Sequence, residues 1–167
     1  CQNPSPRHIL LIKNIKWKFF QTFFYPEKKR RRKEKKNNRI LSLEYIDYIL
    51  FDLKHWDSQR HLEGTGIDNK LILTNMKYAI STGKKVLPRI PVIPKFNDSL
   101  EDAKKFCNIL HDVGSNQCQL LPFHQFGENK YHLLNKQYAY ENQPALHRED
   151  LQEYLQIFLD NDIHAFF

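Results

Sequence analysis

The run Tyr48-Ile49-Leu50-Phe51-Asp52-Leu53-Lys54 limits the fold more than any other stretch of this chain. It starts apolar, as a strand buried on both faces does. It closes with an acid and a base two residues apart, and strand alternation turns Asp52 and Lys54 to one face. Alone, this pair is a salt-bridged strand end of modest energetic worth. A functional site requires other residues to converge on it.

The residues downstream supply them. After a polar stretch, His55 to Asn69, punctuated by Gly64 and Gly66, Lys70 to Thr82 places Ile72, Met76, Ala79 and Ile80 on one helical face. Gly83 is its stop. Lys84–Pro94 is β-rich but holds three prolines, and Pro88 predicts a short strand or an edge strand, because it has no N–H to give a ladder. Ser99 and Asp102 stand at capping-box spacing before a helix with Ala103, Phe106, Cys107, Leu110 and Val113 inward, ended by Gly114. Gln117–Phe123 is a further strand closed by His124, followed by a polar, aromatic loop to about Pro144. Glu149–Asp160 predicts a helix with Leu151, Tyr154, Leu155, Phe158 and Leu159 inward, and Ile163–Phe167 a last strand. Strands alternating with helices imply parallel βα units in one sheet. Ligands of such sheets lie at the carboxyl ends of the strands. Asp52, Lys54, Arg89 and His124 all fall at that edge, from three successive strands.

Charge needs locating before it is interpreted. The net charge is +7, and Lys28–Lys36 (KKRRRKEKK) carries eight basic residues and one acid, so that block accounts for all of it. The rest of the chain is balanced, which argues against a basic nucleic-acid-binding face. The block predicts a solvated linker, with contact to nucleic acid or an anionic membrane as the sharper alternative. Leu41–Ile46 reads as a short helix or turn, and Ile9–Phe24 fits either a strand or a cationic, aromatic helix. Residues 1–38 therefore form an irregular basic N-terminal segment and 39–167 an α/β unit. No apolar run approaches the ~20 residues of a membrane span, no leader peptide is apparent, and three cysteines are too few for a disulfide framework, so a cytoplasmic setting is expected.

Ordered blocks across residues 39–167 carry a family resemblance. They are Asp52-Leu53-Lys54-His55, His61-Leu62-Glu63-Gly64-Thr65-Gly66, Asn69-Lys70-Leu71-Ile72-Leu73, Arg89-Ile90-Pro91-Val92-Ile93-Pro94 with Asn97-Asp98, and Leu120-Leu121-Pro122-Phe123-His124 with Gly127 and Lys130-Tyr131. In this order and spacing the chain resembles the C-terminal half of the activating enzymes of glycyl-radical enzymes, in the radical S-adenosylmethionine (SAM) superfamily. The resemblance implies a partial (β/α) barrel of parallel strands, with SAM and a [4Fe–4S] cluster as cofactors. It also implies a 5′-deoxyadenosyl radical that takes hydrogen from a glycine of a partner enzyme. It assigns Asp52, Lys54, Arg89 and His124 to SAM. Lys54 and Arg89 would meet the methionyl carboxylate, Asp52 would balance the sulfonium or hold a cation, and His124 would bond the ribose or methionyl end. His55 and His61 are weaker candidates, with His61 expected as an exposed loop histidine.

Cys1-Gln2-Asn3-Pro4 is similar to the tail of the family's cluster motif, which makes Cys1 the expected metal ligand. Cys107 and Cys118 are expected in the core. The Gly-Gly-Glu-Pro strand end is absent, and Lys95 stands where a glycine is usual. One motif cysteine is fewer than a cluster needs. The chain is thus expected to be a truncated activase, inactive alone and exposing a sheet edge that favours association. Expected partners are a glycyl-radical enzyme of dehydratase, lyase or formate-lyase type and reduced flavodoxin or ferredoxin, with no membrane and no nucleic acid. The alternative is a non-catalytic remnant or interaction module with an anion-binding basic segment.

Overall fold

The computed structural model describes residues 9–12, 48–125, 140 and 143–167. Cys1, the basic block Lys28–Lys36, the segment Leu41–Ile46, and Gly127, Lys130 and Tyr131 lie outside the described residues. The strands are β1 (Ile9–Ile12), β2 (Tyr48–Asp52), β3 (Lys85–Val92), β4 (Gln117–Pro122) and β5 (His164–Phe166). The helices are α1 (Ser58–Thr65), α2 (Lys70–Ser81), α3 (Leu100–Val113) and α4 (Gln152–Asp160), the last entered through a 3-10 turn, Glu149–Leu151. All five strands pair in parallel in the order β1-β2-β3-β4-β5, so spatial order follows chain order. Repeated βα units generate this arrangement, and the product is an α/β fold with the strand layout of a partial (β/α) barrel. For Ile9–Phe24, the strand reading holds at Ile9–Ile12.

Local chemistry sets the helix limits. Ser99 caps α3 by accepting from Asp102 N, Asp102 answers the Ser99 N–H, and Gly114 closes the helix at φ 82°. The predicted inward face of α3 is buried throughout. Helix α1 departs from the expected polar loop. Asp57 caps its start by accepting from Arg60 N at 2.8 Å and Gly66 ends it at φ 80°, so a start and a stop signal were both in the sequence. Only His61 and Thr65 are buried on α1, which leaves no apolar period to detect.

One face of the sheet forms the core. Ile49, Phe51, Val86, Ile90, Val92, Cys118, Leu120 and Ala165 are buried, packed with α2, α3 and α4. Leu159 is a correction on α4: it is 42% exposed, because Phe158 takes the core position beside it.

Strand β3 also corrects its expectation. It is eight residues long and central, paired on both sides. Arg89 O accepts from Leu53 N at 2.9 Å, so odd residues of β3 turn their main-chain groups toward β2 and even ones toward β4. Pro88 therefore faces β4 just ahead of the first β3–β4 pair, Arg89–Gln119. Pro91 faces β2 beyond its last pair, Asp52–Arg89. Each missing N–H falls at a ladder margin. Among the described residues, no helix is long and apolar enough to cross a membrane.

Candidate functional site

Register brings the predicted acid and bases together. Asp52 ends β2 and pairs with Arg89 on β3, and their side chains lie on the face opposite the helix-packed residues. Arg89 Nε and Nη2 both donate to Asp52 Oδ1, at 2.8 and 2.6 Å. Lys54 Nζ reaches Asp52 Oδ2 at 3.3 Å. The Asp52 carboxylate is nearly buried, at 4% exposure, whereas the Arg89 and Lys54 side chains keep 17% and 32%. The three side chains, one carboxylate and two cations, sum to one positive charge. Asp52 accepts three hydrogen bonds from the two cations, and a guanidinium end that does not face Asp52 can still meet an anion in fork geometry.

A second set of residues fixes the backbone beneath this triad. Asn97 is fully buried. Its Nδ2 donates to Lys54 O and Pro91 O, both at 2.8 Å, and its Oδ1 accepts from Ile93 N at 2.7 Å. One amide thus ties the exit of β2 to the exit of β3. Tyr154 Oη, from α4, donates to Asn97 O at 3.0 Å, and burial pushes that phenol's pKa up, so it stays a donor. Asn69 Nδ2 holds His55 O and Trp56 O at 3.1 and 2.8 Å. Trp56 Nε1 donates to Asp102 Oδ1 at 2.6 Å, locking the β2–α1 loop to the first turn of α3. Burial raises the Asp102 carboxyl, but the hydrogen bonds from Ser99 and Trp56 outweigh it and hold the group below its ordinary value.

Both histidines of the β2–α1 region are completely buried, which corrects the expectation of an exposed loop position for His61. His55 Nε2 donates to Phe96 O at 3.1 Å while its Nδ1 accepts from Asp57 N at 2.9 Å, an arrangement only the neutral ring satisfies. Burial lowers its pKa, and Arg60 lowers it further. His61 Nδ1 donates to Ile67 O at 2.8 Å, and its Nε2 is a buried acceptor with no hydrogen-bond partner among the described residues. Burial lowers its pKa as well. These rings are wedges of the scaffold rather than members of the triad. His124 is exposed just past β4, at the same sheet edge, where Phe123 O accepts from Leu146 N at 3.0 Å.

The described residues offer little metal-ligating chemistry. Among them, no group of three or more His, Cys, Asp and Glu is placed to hold a metal ion. Cys107 and Cys118 are buried in the core, and burial pushes the Cys107 thiol up to about 11 and Cys118 higher still. Neither offers the thiolate an iron–sulfur cluster needs. Asn97 and Asn69 stand in the blocks that carry the resemblance, but sequence reasoning assigned neither a role in the site. Asn97 stands in an Asn-Asp-Ser cluster that looks like cap chemistry, and nothing local separates a buried Asn that satisfies main-chain groups from a surface turn Asn.

No family model matches the sequence. The 4-hydroxyphenylacetate decarboxylase activating enzyme of Clostridioides difficile (strain CD196) is 40% identical over 124 residues, 72% of this chain and 39% of that protein. The choline trimethylamine-lyase activating enzyme of Oleidesulfovibrio alaskensis is 36% identical over 115 residues, 66% of this chain and 37% of that protein. The pyruvate formate-lyase 2-activating enzyme of Escherichia coli (strain K12) is 37% identical over 99 residues, 59% of this chain and 34% of that protein. The chain therefore spans well under half the length of these relatives. The crystal structure of a domain of a pyruvate-formate lyase-activating enzyme from Bacteroides vulgatus superposes with a TM-score of 0.60 at 23% identity, covering 78% of this chain and 73% of that one. That likeness bears on the fold alone.

Proposed function

The chain belongs to the family of activating enzymes of glycyl-radical enzymes, and from that premise we propose that its Asp52–Lys54–Arg89 edge forms one wall of a SAM pocket. The observation that carries this reading is the convergence of Asp52, Lys54 and Arg89 in one ion-paired cluster at the carboxyl end of two parallel strands. Arg89 and Lys54 receive the ligand's carboxylate. Asp52 holds both cations in place and faces the positive end of the same ligand. His124, at the end of the next strand, hydrogen-bonds the ribose or methionyl end. The buried carboxylate fixes the Arg89 guanidinium before ligand arrives, which lowers the ordering cost of binding. Asn97 keeps the two strand exits at constant separation, so Lys54 and Arg89 arrive as a pair.

SAM held by Asp52, Lys54, Arg89 and His124 would supply hydrogen-atom abstraction chemistry only after one electron from outside the described residues cleaved its sulfonium C–S bond, with methionine as the leaving group. The partner in this reading is a glycyl-radical enzyme of the decarboxylase, lyase or formate-lyase kind, and the electron donor a reduced flavodoxin or ferredoxin. The described residues do not fit a [4Fe–4S] cluster, and Cys1, its proposed ligand, lies outside them. Isothermal titration of SAM into the full chain tests the pocket. Saturable binding to one site, weakened roughly tenfold or more by Arg89→Ala, is expected for a charged hydrogen bond. Binding that Arg89→Ala leaves unchanged overturns the reading.

A further inference from the structure

The strand register continues the polar row one strand beyond the residues assigned above. Asp52 pairs with Arg89, Arg89 with Gln119 and Gln119 with Phe166. Cys118 and Leu120 are fully buried in the helix-packed core, so Gln119 points to the opposite face, the face of Asp52 and Arg89. Gln119 is half-buried, and its amide makes no hydrogen bond among the described residues. Its neighbour along the strand differs: Gln117 Nε2 donates to Val86 O at 3.2 Å, a structural use that completes the margin of the ladder.

The order of the row decides what Gln119 can reach. Arg89 stands between Asp52 and Gln119, and it directs Nε and one Nη2 hydrogen at Asp52. Gln119 is the residue paired with Arg89 on the side away from Asp52, so its amide is the next polar group in the row. A side-chain amide has two N–H donors, and donation to a carboxylate is among the stronger uses of such a group. We propose that Gln119 is a further binding residue of this site, donating its Nε2–H to the carboxylate that Arg89 holds and so selecting ligands that carry an amino-acid moiety. This inference rests on the SAM-pocket reading and sharpens it, because it names the part of the ligand that faces β4.

Two nucleoside probes separate the alternatives. S-Adenosylhomocysteine carries the amino-acid moiety, and 5′-methylthioadenosine keeps the nucleoside and sulfur without it. Each is titrated calorimetrically into the full chain and into Gln119→Leu and Gln119→Glu. The expected result is roughly tenfold weaker S-adenosylhomocysteine binding in Gln119→Leu, the scale of one hydrogen bond to a charged group. Gln119→Glu binds it more weakly still, because it sets a second carboxylate against the ligand's own. Binding of 5′-methylthioadenosine stays unchanged in both variants, which also shows that they fold. Unchanged S-adenosylhomocysteine affinity in both variants overturns the role of Gln119 and leaves the pocket standing. Equal weakening of both probes overturns it too, since the amide then serves the nucleoside or the fold. If the unsubstituted chain binds neither probe, the pocket reading itself falls, and this inference with it.

Discussion

Replacing Asn97 by alanine should cost the protein a large part of its stability without touching a charged group. The side chain is fully buried and satisfies three main-chain groups on two strand exits: Lys54 O, Pro91 O and Ile93 N. Truncation removes all three bonds and supplies no water in their place. Each buried group left unsatisfied costs about 1–3 kcal/mol, and partial relaxation keeps the sum below the upper limit, so a loss of about 3–5 kcal/mol is expected. Domains of this size have only about 5–15 kcal/mol in total. With a urea dependence of about 2 kcal/mol per molar, the unfolding midpoint should fall by about 2 M. Far-UV circular dichroism through a urea titration measures it. Asn108→Ala, at an exposed position on α3, is the control and should move the midpoint by less than about 0.5 kcal/mol equivalent. Asn97→Asp separates donors from acceptor: it keeps the acceptor for Ile93 N but sets oxygen against two carbonyls, so it should match alanine at pH 7. A loss below about 1 kcal/mol in Asn97→Ala would refute the reasoning, because the three bonds would then be dispensable.

Other expectations follow from the same network. His55 and His61 have folded pKa values below their unfolded value of 6.5. The unfolded chain binds more protons below that pH, so their contribution is complete above pH 6.5 and is lost as pH falls through the folded values. The urea midpoint should therefore drop between pH 7.5 and pH 5, and His61→Gln should flatten that drop; a pH-independent midpoint would contradict it. Lys95 adopts φ 63°, the left-handed region that favours glycine. Lys95→Gly should stabilise by up to about 1 kcal/mol in the same assay, and destabilisation would show that the Lys95 side chain matters more than its backbone strain. Adding a Cβ at Gly64 brings it 2.6 Å from Phe96 Cζ, and Phe96 packs edge-on against His55. Gly64→Ala should cost about 1–2 kcal/mol, which thermal unfolding measures, and Phe96→Leu in the same chain should recover part of it.

The extent to which sequence revealed this structure varied with the physics of each element. Periodic burial announced α2 and α3, and the capping box at Ser99 and Asp102 marked where α3 begins. The polar strand ends were legible because alternation and parallel register together place Asp52, Lys54 and Arg89. Helix α1 was hidden because its inward face is one histidine and one threonine rather than an apolar stripe. Strand β3 was underrated because a proline penalty depends on which neighbour its nitrogen faces, and that is settled only by register. The burial of His61 was illegible for a related reason: its Nδ1–H is satisfied by Ile67 O, a partner that exists only once the helix and the following turn are formed.

In the proposed pocket the Asp52–Lys54–Arg89 cluster receives the carboxylate of SAM. A crystal structure of the chain with S-adenosylhomocysteine tests it directly. The account predicts the ligand's carboxylate within hydrogen-bond distance of the Arg89 guanidinium, with Asp52 still held by Arg89 and Lys54 beneath it. A ligand whose carboxylate lies elsewhere, with the triad unchanged and facing solvent, would contradict it.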